Sequence, residues 1–225
     1  MTRVKQKAGE RGSLHWVQRF VNERPAALTD AVVAASGNRI KGPIEWLSPL
    51  GTDEFAEYRD QSSLDRLGVF PSILPLSEFW PRLGPQWDAL GRDARGCPVL
   101  VEAKANIPEL ISSPSGASPA SLAAIRKSLE LTALHLGVSG RSDWSGTFYQ
   151  YANRLAHLYF LHEVNKIKSW LVFLYFVGDE TIAGRPGPTS EREWRAALEV
   201  LHGALGLRKH RLLTQKVDTF VDLRV

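Results

Sequence analysis

Cysteine is almost absent from this chain. Cys97 stands alone among 225 residues, so no intrachain disulfide can form and a cysteine-rich zinc site is excluded. A single thiol in front of Pro98 reads as a small core residue, and a reducing compartment, the cytoplasm, is the expected location. Long apolar runs are missing as well. Trp170 to Val177 is the most hydrophobic run and is too short to cross a bilayer as a helix. The first twelve residues are basic but lack the apolar stretch of a secretory signal, so no membrane partner is expected. The 18 glycines are scattered, and no Gly-x-Gly-x-x-Gly or Gly-Lys-Ser/Thr opens a helix after a strand, which leaves out the phosphate-cradling loops. Six histidines occur without a His-x-x-x-His pair near a third ligand, which argues against zinc. Ser139-Gly140-Arg141-Ser142 and Ser145 form no nucleophile elbow.

What remains is ordinary in amount and informative in pattern. Hydrophobic residues make up 44% of the chain, enough for one large domain or a domain with an N-terminal extension. The 28 basic residues exceed the 24 acidic ones by four, a balance that permits a nucleic-acid partner without demanding one.

Residues 1 to 12 carry charge and glycine with little apolar anchoring and are expected to be mobile. Helical spacing from an N-cap at Ser13 through Leu14, Val17, Phe20 and Val21, and again from Pro25 to Ala35, predicts a helical appendage within residues 1–42. Residues 43–225 then form the main domain. It begins with a short strand near Ile44 to Leu47, a helix from a cap at Thr52 to Leu67 ended by Gly68, and extended or edge-strand chain over Val69 to Leu76. A hairpin over 86–92 and 98–105 turns at Asp93-Ala94-Arg95-Gly96. An exposed loop follows from Ser112 to Pro119, with helices over 121–136 and 147–164. Ser169 to Val177 does not alternate, as expected of a strand covered on both faces, and helix 191–205 and strand 217–225 complete the chain. This order predicts a mixed central sheet flanked by helices.

The chemistry is concentrated in Val99-Leu100-Val101-Glu102-Ala103-Lys104-Ala105. Side chains alternate along a strand, so Leu100, Glu102 and Lys104 share one face and the small apolar residues share the other. Asp88 precedes Glu102 by fourteen residues, on the neighbouring arm of the hairpin. Two carboxylates on adjoining strands suit a hard dication such as Mg²⁺, the carbonyl of Ala103 offers a further oxygen, and an ammonium beside the ion can act on an attacking water. The alternative is a structural salt bridge, since an unpaired carboxylate and ammonium in an apolar strand are costly.

Asp88 followed by Glu102-Ala103-Lys104 at the end of the next apolar strand resembles the PD-(D/E)xK nuclease superfamily over about 86–178, although Trp87 rather than Pro precedes Asp88. The resemblance implies an α/β, restriction-endonuclease-like fold and Mg²⁺-dependent phosphodiester cleavage, with Mn²⁺ able to substitute. Asp88 and Glu102 would be metal ligands and Lys104 would assist the water. It also points to an acidic contact from the first helix, Glu57 ahead of Glu54, and to a Gln on the later helix. Gln150, Asn153, Arg154 and His157 fall at i, i+3, i+4 and i+7, a stripe unlike the usual Lys/Glu solvent face. Gln150 would hold a metal-bound water or a base edge, and Asn153 and Arg154 would contact nucleic acid. The alternative is an ordinary polar helix face.

DNA is the expected partner, and a homodimer would let two sites cut two strands. Trp87 and Trp144 are candidates to stack on bases or to fill the core, and Arg208-Lys209-His210-Arg211 is either a phosphate contact or a solvated loop. The competing functions are a noncatalytic nucleic-acid-binding or protein-interaction module on the same fold, and a protein that binds a small phosphorylated molecule under the 112–119 loop.

Overall fold

The computed structural model describes residues 3–113, 115–138, 142–181 and 187–224. Ser139 to Arg141, Pro114 of the polar loop and the expected final strand residue Val225 lie outside them.

In chain order the elements are β1 (Arg3–Val4), α1 (Gly12–Glu23), α2 (Pro25–Ala35), β2 (Glu45–Ser48), β3 (Glu57–Tyr58), α3 (Asp60–Leu67), α4 (Leu76–Phe79), β4 (Ala89–Arg92), β5 (Pro98–Lys104), α5 (Pro119–His135), α6 (Tyr149–Tyr159), β6 (Trp170–Val177), α7 (Glu191–Leu205) and β7 (Lys216–Asp222). A five-stranded mixed sheet runs β2-β4-β5-β6-β7. The first three strands are antiparallel neighbours, whereas β5, β6 and β7 run parallel through helical crossovers. Every residue of β6 is buried, because helices cover both sides of it. That is why its sequence shows no alternation.

The period-two reading of β5 holds in three dimensions. Val99, Val101, Ala103 and Ala105 join a core with Val17, Phe20 and Val21 of α1 and Leu28 and Val32 of α2. The two N-terminal helices thus form the layer over one sheet face. Leu90, Leu100, Leu171 and Phe173 face the opposite way, toward Leu64, Leu129, Leu155, Leu158, Trp194 and Leu201 from α3, α5, α6 and α7. Glu102 and Lys104 point into this second layer.

Local chemistry sets the ends of two helices. Ser190 and Glu193 form a reciprocal capping box on α7, and Gly206 closes it with a left-handed φ of 69°. Ser118 caps α5 two residues earlier than the spacing predicts, with Pro119 in its first turn. A turn of π-helix carries α6 on to Val164.

Three expectations are corrected. The helix expected from Thr52 is broken, because Glu54 and Phe55 adopt left-handed backbone and Glu57–Tyr58 becomes a strand paired with β1, leaving a 3-10 turn at Gly51–Asp53 and an α-helix over Asp60–Leu67. The tail expected to be mobile is tied down by polar side chains: Arg3 binds Asp53 at 2.7 Å, Gln18 bonds Gly9 N and Lys7 O, and His15 bonds Gly9 O. Of the two alternatives for Val69 to Leu76, extended chain or an edge strand, the strand does not form: Leu76 opens α4, and the Asn165 side chain accepts from Ile73 and Leu74 N–H at 3.1 and 3.0 Å. Among the described residues no helix is long and apolar enough to cross a membrane.

Candidate functional site

Glu102 and Lys104 leave β5 at its C-terminal end, and β4 pairs with β5 through Ala89 opposite Val101. One residue before Ala89, Asp88 donates its N–H to the Val101 carbonyl at 3.2 Å and accepts the Ala103 N–H on Oδ2 at 2.7 Å. The hairpin thereby carries Asp88 to the same end of the sheet as Glu102. A cavity of about 820 Å³ opens there, lined by Glu57, Asp88, Glu102, Lys104, Gln150, Asn153 and Arg154 together with the turn at 82–86 and part of the 112–118 loop.

The charges are interlocked. Lys104 Nζ lies 2.5 Å from Glu102 Oε1 and donates to Gln150 Oε1 at 3.2 Å. Arg154 binds Glu102 Oε2 through Nε at 2.6 Å and through a terminal nitrogen at 2.5 Å. That same terminal nitrogen donates to the Gln86 carbonyl and the other one to Asn153 Oδ1, both at 2.8 Å, and the group lies 4.9 Å from the Trp87 ring centre. Gln86 in turn donates to Glu57, which also accepts from Gln6 at 3.0 Å. The Glu102 side chain is 3% exposed, so these partners replace water almost completely.

Burial raises the pKa of Glu102, yet Arg154 and Lys104 outweigh it and hold the carboxyl below its ordinary value. Asp88 goes the other way. Burial, then repulsion from Glu102 and Glu57, push it well above the usual carboxylate range against the pull of Lys104. Glu57 is also raised, chiefly by burial, despite its hydrogen bonds to Gln86 and Gln6. Burial lowers Lys104, but Glu102 and Asp88 more than compensate, so it stays an ammonium.

The residues expected from the sequence fall as follows. Asp88, Glu102, Lys104, Gln150, Asn153, Arg154 and Glu57 line one cavity, with Glu57 arriving from a strand and not from inside a helix. Ala103 contributes backbone only, its side chain being packed in the opposite core. Glu54 does not line the cavity and pairs with Lys5 and Arg3 at 2.7 and 3.0 Å. His157 leaves the polar stripe and is enclosed by Phe79, Trp80 and Trp87, where burial lowers its pKa to about 3 and leaves Nδ1–H to donate to Asn153 O. Trp87 and Trp144 are core residues, the latter donating to Leu205 O at 3.0 Å. Sequence reasoning passed over Gln86, whose polar side chain beside Trp87 was the available signal.

The donor set suits a hard dication. Asp88 and Glu102 are oxygen donors in a lining that also holds Glu57, and the three acids are matched by the cations Arg82, Lys104 and Arg154. Asp88 and Glu57 hold their protons more tightly than isolated carboxyls, chiefly because both are buried and then because neighbouring carboxylates repel them. Among the described residues no three His, Cys, Asp or Glu side chains form a ready metal cage. Mg²⁺ does not require one, since it is commonly held by one or two carboxylates and keeps several waters. Comparison with family models, curated proteins and solved structures gives no match.

Proposed function

We propose that this chain is a Mg²⁺-dependent nuclease of the PD-(D/E)xK type, with a restriction-endonuclease-like core, acting on DNA in the cytoplasm. The supporting observation is the gathering of Asp88, Glu102 and Lys104 from adjoining strands into one cavity, with Gln150 touching Lys104. Asp88 and Glu102 would hold the ion, Mn²⁺ serving in place of Mg²⁺, with the Ala103 carbonyl and Glu57 as further oxygens. A bound dication supplies Lewis acidity at the phosphoryl oxygen and lowers the pKa of water.

The chain's own groups have distinct tasks. Lys104, kept protonated by Glu102 and Asp88, offers positive charge to a phosphate gaining negative charge and a hydrogen bond to orient the water; it is not the base. Gln150 steadies the ammonium through its carbonyl oxygen. Arg154 fixes the Glu102 carboxylate, and Asn153 fixes Arg154. Arg82, exposed at the cavity mouth, supplies a phosphate contact.

One observation favours a second reading, a noncatalytic nucleic-acid-binding or protein-interaction module. Both oxygens of Glu102 are already engaged by cations of the chain itself. Incubation with supercoiled plasmid in Mg²⁺ or Mn²⁺ separates the two readings. The nuclease reading expects nicking or linearisation that EDTA stops, and a loss of about 100-fold or more in Lys104→Ala. A module that shifts DNA equally in both forms and cuts in neither would overturn it.

A further inference from the structure

At the β7 edge of the sheet, α7 and β7 border a second cavity of about 800 Å³ that shares no lining residue with the first. Tyr151 lies in its wall, stacked on Phe173 with ring centres 4.1 Å apart, beside the partly buried Leu207 and Leu213. The Tyr151 hydroxyl is 2.8 Å from His202 Nε2. Over these groups stands the run Arg208-Lys209-His210-Arg211, with Glu199 the single carboxylate in the lining among the described residues.

The basic run is held at both ends. Gly206 ends α7 in left-handed backbone, and Leu207 N–H returns to the His202 carbonyl at 2.9 Å. Beyond it, His210 Nδ1 accepts the Leu212 N–H at 3.1 Å, its carbonyl accepts from Leu213 at 3.1 Å, and the Leu212 side chain is fully buried. Backbone ordering, a main cost of ligand capture, is therefore already met. The cations differ in how far they are neutralised. Lys216 is bound to Asp218, and Arg211 reaches Glu163 at 3.4 Å. Arg208 and Lys209 are exposed and have no ion-pair or side-chain hydrogen-bond partner among the described residues.

We propose that this cavity binds a phosphate ester carried on an aromatic or apolar body, the phosphate on Arg208 and Lys209 and the body against Leu207 and Leu213. Adjacent unneutralised cations select a dianion, and a cavity of this size accommodates a nucleoside phosphate. A free nucleotide and the 5′-phosphorylated end of a nucleic-acid strand share this chemistry.

Calorimetric titration of the full chain in EDTA tests the proposal, with AMP against adenosine and a 5′-phosphorylated tetranucleotide against its unphosphorylated form. Each phosphorylated probe should bind at least about tenfold more tightly than its counterpart. The double variant Arg208→Ala/Lys209→Ala, whose fold is checked by circular dichroism, should lose about tenfold in affinity, and Arg208→Lys should lose less. Tighter binding of the phosphorylated tetranucleotide than of AMP would identify the strand end as the source, and the reverse the free nucleotide. The proposal is overturned if the phosphate adds nothing for either probe, or if the double variant binds as the parent does.

Discussion

Two cavities on one face of the same sheet treat charge in opposite ways. In the first, Glu102 and Arg154 are almost wholly removed from water, Lys104 is largely so, and each has a partner within 3.2 Å. In the second, Arg208 and Lys209 stand in solvent with no counter-charge in contact among the described residues. Buried charges are tolerated only when paired, so the first set is bound up with the fold itself. Exposed cations cost little to leave unpaired, so the second set is free to answer to a ligand.

This contrast breaks first at Glu102. Glu102→Ala would leave the buried Arg154 guanidinium and the largely buried Lys104 ammonium without their shared counter-charge. A loss of about 3–5 kcal/mol in urea unfolding is expected, as for other buried pairs broken from one side. A loss below 1 kcal/mol would mean that the cluster is more hydrated than its geometry implies.

At the other extreme, the double variant Arg208→Ala/Lys209→Ala should change unfolding free energy by no more than about 0.5 kcal/mol, because neither side chain holds another element in place. A large loss would reveal a structural role for the basic run and narrow the difference between the two cavities.

The parts of this arrangement that were legible in the sequence depend on short-range regularities. Alternation along β5 placed Glu102 and Lys104 on one face, and the turn at Asp93 to Gly96 brought Asp88 alongside. Helical spacing put Gln150, Asn153 and Arg154 on one stripe of α6. What spacing could not convey was partner choice. Arg154, expected to face nucleic acid, grips Glu102, and His157 on the same stripe turns into aromatic packing.

The N-terminal segment was misread for a different reason. Its anchoring comes from Arg3, Gln6 and Gln18 reaching residues far along or across the chain, and polar contacts of that range leave no periodic trace. The same holds for the break at Glu54 and Phe55, where two non-glycine residues in left-handed backbone override a plausible helix. The second cavity needed α6, α7 and β7 to meet, so its basic run alone read equally well as a solvated loop.

Asp88 provides the most direct test of the account. Its folded carboxyl holds a proton more tightly than the unfolded chain does, so stability falls as pH rises from the ordinary aspartate value through the raised one, and burying Asp88 is a cost at every pH above the ordinary value. Thermal unfolding at neutral pH in EDTA and in Mg²⁺ should therefore show the wild-type midpoint rising with the ion. Asp88→Asn should melt above wild type in EDTA and gain nothing from Mg²⁺. A wild-type midpoint indifferent to Mg²⁺, or an equal rise in Asp88→Asn, would contradict the dication site on which the proposed chemistry rests.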